Sequence, residues 1–269
     1  MFCFSMGQSK IFDCELCMDC VYFYKFQLDE YMEQYADIKA LSAKTDSHPS
    51  LLDELAHSAI IRAVRAVQAN SKHAGTAMYC IDATAGNGHD TCFLAGLGAS
   101  LEAVAQKNFS VLACDVQEEA LHNTRERLHQ YGLQAELVHT GHENIAEYLP
   151  EKSLLVGVMF NLGYLPNKDR NAEFIVTKAD TTLQALSSLT ERLSPRGVIS
   201  VHCYTGHAGG LTEYQAVHDF IIRLEPKFWR ALCVSDINRS HNSEYLFLLE
   251  KLQIKQRKQY VKSCLKRCI

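Results

Sequence analysis

The chain has 269 residues, 47% of them apolar and 22% charged, with 14 Gly and 5 Pro. That balance excludes a mainly disordered, collagen-like or Pro-rich chain, and no apolar run approaches the roughly 18 to 20 residues that span a bilayer. The net charge of −4 is unevenly spread: Lys251 to Ile269 hold seven Lys or Arg and no Asp or Glu, which leaves −11 on residues 1 to 250. An acidic body with a basic end can still bind a polyanion locally, because screening confines each patch to a Debye length of ~8 Å. A solvated terminus is the alternative for the same residues.

Residues 1–49 read as a Cys- and aromatic-rich appendage (CVYFYKF), then an acidic stretch, helical from Leu28 to Leu41, and the linker TDSHPS. The opening MFCFSMGQSK lacks the basic start and long apolar stretch of a signal peptide, so the expected compartment is cytoplasmic and no membrane partner is expected. Eleven cysteines, an odd count, argue against a disulfide framework. Cys14, Cys17 and Cys20 have metal-like C-x2-C-x2-C spacing. A closed site needs four ligands and no fourth follows at the right distance, so no metal is expected. Cys80, Cys92, Cys114, Cys203 and Cys233 lie in apolar runs and read as buried, reduced, small hydrophobes.

Ser50 can cap a helix from Leu51 to Gln68, with Leu51, Leu55, Ala59, Val64 and Val67 as its apolar face. From Met78 short apolar runs alternate with amphipathic helices. Strands are predicted at 78–83, 110–116, 135–140, 154–163 and 198–204. Helices are predicted from about Asp90, over 118–132 with Gly132 closing it, from about Thr181 to Leu193 before the turn SPRG, and from Thr212 to Leu224. RALCVSDI and EYLFLLEKL, joined by a short polar turn, form an antiparallel pair. The fold class is therefore α/β: a doubly wound seven-stranded sheet, mostly parallel with one antiparallel strand, and helices on both faces. This domain spans 50–252, with the appendage 1–49 before it and the basic tail 253–269 after it.

The most informative segment joins the first strand to its helix: Asp82-Ala-Thr-Ala-Gly86-Asn87-Gly88-His-Asp90-Thr91. Glycines at such a turn let the backbone approach a ligand, and the helix start offers free N–H groups. A dinucleotide site wants G-x-G-x-x-G, but position 91 is Thr. The pattern here is D-x-x-x-G-x-G, which suits a cationic ligand without pyrophosphate, as in S-adenosylmethionine (SAM) methyltransferases. Asp115, at the end of the second strand, is placed to accept from a ribose diol. At the end of the fourth strand, Asn161-Leu-Gly-Tyr164 is a loose version of the [DN]-P-P-[YF] tetrapeptide of amine methyltransferases, with both prolines absent. An Asn amide oxygen can hold an amine by its hydrogens, and an aromatic ring nearby can stack on a base. His122 and His129 read as a solvated helix face; His207, in YTGHAGG, is either a site residue or a turn histidine.

Six segments, DATAGNGHDT (82–91), CDVQ (114–117), TGHENI (140–145), FNLGYLP (160–166), IVTK-x-x-TT (175–182) and Y-x-GH-x-GG (204–210), occur in that order. With them the stretch from roughly 55 to 250 resembles the family first labelled putative rRNA methylases. Bacterial members methylate the aminomethyl group at C5 of the wobble (2-thio)uridine of tRNA. The resemblance implies a Rossmann-like class I fold, SAM as cofactor and the tRNA anticodon stem-loop as partner, and it leaves a homodimer open.

Residue by residue it implies that Asn87, Asp90 and Thr91 line the methionine end of SAM beside Gly86 and Gly88, with Asp82 beneath. Asp115 and Gln117 would hold the ribose and adenine edge, and His142 and Glu143 would flank the adenine. Asn161, Tyr164, Lys178, Thr181, Tyr204 and His207 would face the substrate, with Tyr164, Tyr204 and His207 as candidate proton acceptors. The chain departs from the family pattern in substrate-side loops, with Ala179 and Ala208 where Pro is usual. Methylation of rRNA or of a small amine, and a SAM-binding module that recognises RNA without turnover, are the alternative functions.

Overall fold

A computed structural model of the chain describes residues 50–73, 75–102, 108–163, 175–238 and 244–253. The appendage 1–49 with Cys14, Cys17 and Cys20, the tail from 254, and Tyr164 lie outside the described residues. Helix α1 (Leu51–Gln68) opens with a capping box: the Ser50 hydroxyl accepts from the Asp53 N–H, and the Asp53 carboxylate accepts from the Ser50 N–H. Its buried face holds Ala59, Val64 and Val67 of the predicted residues but neither Leu51 nor Leu55. Leu51 is 68% exposed and Leu55 36%, whereas Leu52, Ala56, Ile60, Ala63 and Val67 are buried together with Ile61 and Val64. The run of apolar residues in AIIRAVRAV offers two overlapping stripes, and packing on the sheet selects the one that starts at Leu52.

The sheet comprises β1 (Met78–Asp82), β2 (Phe109–Asp115), β3 (Glu136–His139), β4 (Leu154–Leu162), β5 (Leu193–Tyr204), β6 (Trp229–Ser235) and β7 (Glu244–Lys251). Between them run α2 (His89–Glu102), α3 (Glu118–Tyr131), α4 (Ala179–Arg192) and α5 (Gly210–Ile222), with a 3-10 segment at His142–Tyr148. The spatial order is β3-β2-β1-β4-β5-β7-β6, and β7 is antiparallel to both of its neighbours. From β1 the chain steps outward through β2 to β3, then returns to the other flank of β1 for β4. The C-terminal ends of β1 and β4 therefore border the crevice where a doubly wound sheet takes its ligand.

The strands alternate between two cores. Cys80 and Val111 pack with α1 and α2 on one face, while Ile81 and Leu112 pack with Leu186 and Leu189 of α4 on the other. That is the two-residue period of a sheet covered on both sides, and each fully buried Leu or Ile contributes about 1.5–3 kcal/mol.

Two local expectations change. The SPRG turn lies inside β5, not before it: Leu193 pairs with Leu155 and Val198 with Gly157, so the four residues form a bulge. Pro195 is followed by Arg196 at φ 72, and a Cβ on Gly197 would lie 2.9 Å from the Ser194 carbonyl oxygen. The turn chemistry is real, but the strand resumes on both sides of it. Cys80, Cys114 and Cys203 are buried as expected and Cys92 partly so, whereas Cys233 is exposed because β6 is an edge strand with its face open to solvent. Among the described residues no helix is long and apolar enough to cross a membrane, and no group of three or more His, Cys, Asp or Glu is placed to hold a metal ion.

Candidate functional site

The β1–α2 turn fixes one end of the site. Gly86 and Gly88 take φ values of 51 and 78, and a Cβ on Gly88 would meet the Thr124 backbone on α3 at 2.8 Å. The turn is buttressed from α3: the Thr124 hydroxyl donates to the Gly86 carbonyl at 3.1 Å, Arg127 Nε to the Asn87 carbonyl at 2.6 Å, and Asn123 Nδ2 to Asn87 Oδ1 at 3.2 Å. Sequence reasoning missed these supports, because α3 reads locally as an ordinary solvated helix.

Beneath the turn Asp82 is fully buried and accepts from the Thr91 hydroxyl at 2.6 Å and the Thr84 N–H at 3.2 Å. Thr91 is itself 0% exposed, with its hydroxyl spent on Asp82. Burial, and then the nearby Asp90 carboxylate, push the Asp82 acid up to about 7, with Asp115 adding to the same effect. Asp115 is half-buried at the end of β2, where one oxygen accepts from the Gly86 N–H at 3.0 Å and the other from the Gln117 N–H at 2.9 Å. Gln117 begins α3 as its N-cap residue without a side-chain cap bond.

The other end is built on β4 and β5. Asn161 stands at the end of β4 with its N–H donated to Thr84 Oγ1 at 2.7 Å and its side-chain Nδ2 to Asp90 Oδ2 at 2.7 Å. The remaining Asp90 oxygen lies 2.7 Å from His57 Nε2 on α1. In the β4–β5 register Asn161 pairs with His202, a buried residue between Asp53 (3.3 Å) and Glu244 (3.4 Å). Tyr204 stacks on His202 at 4.4 Å, and burial pushes its phenol well up, so it remains protonated. Tyr204 and His207 converge on Gly163, where a Cβ would lie 3.7 Å from both rings.

A third group covers the flank. His142 is buried, its ring edge-on to Phe160, with Nε2 3.2 Å from the Thr181 hydroxyl and 3.4 Å from that of Thr182. Burial lowers its pKa, which keeps the imidazole neutral. Glu213 on α5, only 3% exposed, accepts from Thr182 at 2.7 Å and Thr177 at 2.6 Å. The Glu143 carboxylate folds onto Gly141, where a Cβ would collide with it. Lys178 is exposed and contributes its carbonyl, which accepts from Thr181 at 3.0 Å.

Asp82, Gly86, Gly88, Asp90, Asp115 and Asn161 thus meet across the β1/β4 crevice, with Tyr204 and His207 one strand further along. His57 and Glu213 were absent from the predicted set. Each carried a signal: His57 precedes Ile61 and Val64, and Glu213 precedes Val217 and Ile221, so a polar residue occupies each buried helical stripe.

Residues 111–250 match a family model described as "Putative rRNA methylase". The protein of Arabidopsis thaliana named tRNA (mnm(5)s(2)U34)-methyltransferase, chloroplastic, is 34% identical over 176 residues, which cover 64% of this chain and 62% of that protein. The chain therefore spans under two thirds of that curated relative. Among solved structures, a putative rRNA methylase from Clostridium thermocellum is 30% identical with a TM-score of 0.62, and the match covers 77% of this chain and 100% of that one. A putative methyltransferase from Streptococcus mutans, in complex with SAH, is 30% identical with a TM-score of 0.60, and the match covers 76% of this chain and 100% of that one. With half of its length in the family model and full-length structural relatives of the same kind, this chain belongs to the putative rRNA methylase family.

Proposed function

We propose that the chain is a SAM-dependent N-methyltransferase that converts the C5-aminomethyl group of a wobble (2-thio)uridine in tRNA to methylaminomethyl. What carries the proposal is the carboxylate cradle of Asp82, Asp90 and Asp115 set against the Asn161 amide. A cradle of carboxylates, in which burial and then the Asp90 and Asp115 charges raise the Asp82 acid, suits a cation and repels a pyrophosphate, so the residues present fit SAM. SAM supplies an electrophilic methyl on a sulfonium. Asp115, anchored by two backbone N–H groups, keeps lone pairs for a ribose diol, and Gln117 lies beside it at the adenine edge. Asn87 and Asp90 are assigned to the methionine end, and neutral His142 with Glu143 to the adenine.

On the acceptor side the Asn161 carbonyl oxygen holds the amine, while Lys178, Thr181, Tyr164, Tyr204 and His207 receive the nucleotide. An aliphatic ammonium has a pKa near that of lysine, about 10.4, and must lose a proton before it attacks. Tyr204, protonated itself, can only relay that proton; His207, Tyr164 or water serve as alternatives. The remaining acceleration is positioning for in-line displacement. The plant relative's name supports the wobble-uridine substrate, and the family description supports an RNA substrate in general. The cytoplasmic location and the basic tail as a tRNA contact belong to the same proposal.

Nucleoside mass spectrometry of tRNA from a strain lacking the chain tests it. Accumulated aminomethyl uridine supports the proposal, whereas an unchanged tRNA profile moves the target to rRNA or a small amine.

A further inference from the structure

We infer that His57, on helix α1, is a positioning residue for methyl transfer: acting through Asp90, it fixes which end of the Asn161 amide faces the acceptor. This rests on the proposed function, since it concerns the amine-holding role given there to Asn161.

The chemistry of the contacts sets the orientation. A carboxylate only accepts hydrogen bonds, so the amide atom 2.7 Å from Asp90 Oδ2 is the NH2 of Asn161, and its carbonyl oxygen is turned the other way. By the same reasoning His57 Nε2, 2.7 Å from Oδ1, carries a hydrogen. Asp90 is therefore held on both oxygens, by the amide on one side and the imidazole on the other. The His57 and Asp90 side chains are only 12% and 13% exposed, so water competes little for these charge-assisted bonds.

Each member is also braced. The His57 ring stacks on Phe93 at 3.7 Å and 12°, and Phe93 is a core residue of α2. The Asn161 main chain is pinned by its bond to Thr84. Asp90, on the first turn of α2, is the one joint in the array, and His57 removes its freedom to swing. An Asp90 free to turn would release the Asn161 NH2, and a flipped amide would present a donor where the amine needs an acceptor. α1 precedes the stretch that matches the family model, 111–250, so the site draws on a residue before that stretch.

His57→Phe keeps a ring on Phe93 and deletes the N–H; His57→Gln restores an N–H without the ring. In steady-state methylation of tRNA bearing aminomethyl uridine, His57→Phe should lower kcat tenfold to a hundredfold, on the order of the loss from slight misplacement. Its KM for tRNA and Kd for SAM should stay within about threefold, and His57→Gln should recover most of the rate. A purely structural residue would instead change stability and affinity alike, with no rescue by Gln. The double variant His57→Phe/Asn161→Ala should be no slower than Asn161→Ala alone, because both act through one amide.

A second readout needs no turnover. In the unliganded protein, NMR should give a downfield His57 Nε2–H signal and slowly exchanging Asn161 side-chain amide protons, and His57→Phe should speed that exchange. Wild-type kcat in His57→Phe, fully additive losses in the double variant, or an Asn161 amide that exchanges as fast in wild type as in His57→Phe would overturn the inference. A wild-type protein inactive on tRNA would overturn the proposed function instead, and the exchange measurement would still decide the role of His57.

Discussion

At the β1/β2 end of the site the acids fasten onto one turn: Asp82 is held by Thr84 and Thr91, and Asp115 by the N–H groups of Gln117, two residues on, and of Gly86 in the turn. At the β4/β5 end the partners come from afar: Asn161 depends on Asp90 and through it on α1, His202 on Asp53 and Glu244, and the Thr181–Thr182 pair on His142 and on Glu213 of α5. The central groups of the first end are the Asp82 and Asp115 carboxylates; those of the second are the Asn161 amide and the Tyr204 and His207 rings. A single turn gathered against β2 and α3 can be built to hold one invariant ligand. An end assembled from many separate elements can be re-aimed by changes in any of them, which suits the part of a site that selects the acceptor.

The division of labour has a sharp consequence for single substitutions. Asn161→Ala should lower turnover about a hundredfold, the scale of losing one polar contact to the reacting group, with SAM affinity nearly intact. Single-turnover kinetics and calorimetry read the two quantities separately. Asp115→Ala should do the reverse, weakening SAM by roughly 1.5–3 kcal/mol as a charge-assisted acceptor is lost. Calorimetry giving wild-type SAM affinity in that variant would remove Asp115 from the cofactor end.

A smaller effect follows from Asp82. Its acid sits near 7 in the folded chain against an ordinary 3.8, so the native state holds a proton that the unfolded chain releases. Stability of the unliganded protein should therefore fall as pH rises from about 4 through about 7, and thermal melts of Asp82→Asn should lose that slope. A cationic ligand expels the same proton, so SAM affinity should rise with pH across the upper part of that window, by at most about tenfold per pH unit. Affinity independent of pH in wild type would break the electrostatic half of the comparison.

The smallest effect concerns the tail. Each phosphate neutralised contributes about −0.9 to the log–log salt slope for duplex nucleic acid. Deleting residues 253–269 should raise the KM for tRNA and flatten its salt dependence while SAM affinity stays unchanged. An identical KM and slope would return the tail to a solvated terminus.

The same contrast explains what was legible in the sequence. The strands, the antiparallel last pair and the glycine turn were readable because apolar runs, Gly spacing and the acid four residues before Gly86 are local signals. The first turns of the α1 face were misread, Leu51 and Leu55 for Leu52 and Ala56, because two apolar stripes compete along that helix and only the sheet chooses between them. His57 lies 33 residues from Asp90 in sequence, and Glu213 31 residues from Thr182, so no spacing rule connects them. Motif position likewise does not reveal that the Thr91 hydroxyl is spent on a buried acid.

The most direct test is reconstitution with purified chain, methyl-labelled SAM and tRNA carrying an aminomethyl wobble uridine, followed by nucleoside analysis. We expect label in the methylaminomethyl nucleoside alone, lost with Asn161→Ala under saturating SAM. Label in another nucleoside, or none despite measured SAM binding, would contradict the assignment of the Asn161 end to a wobble amine.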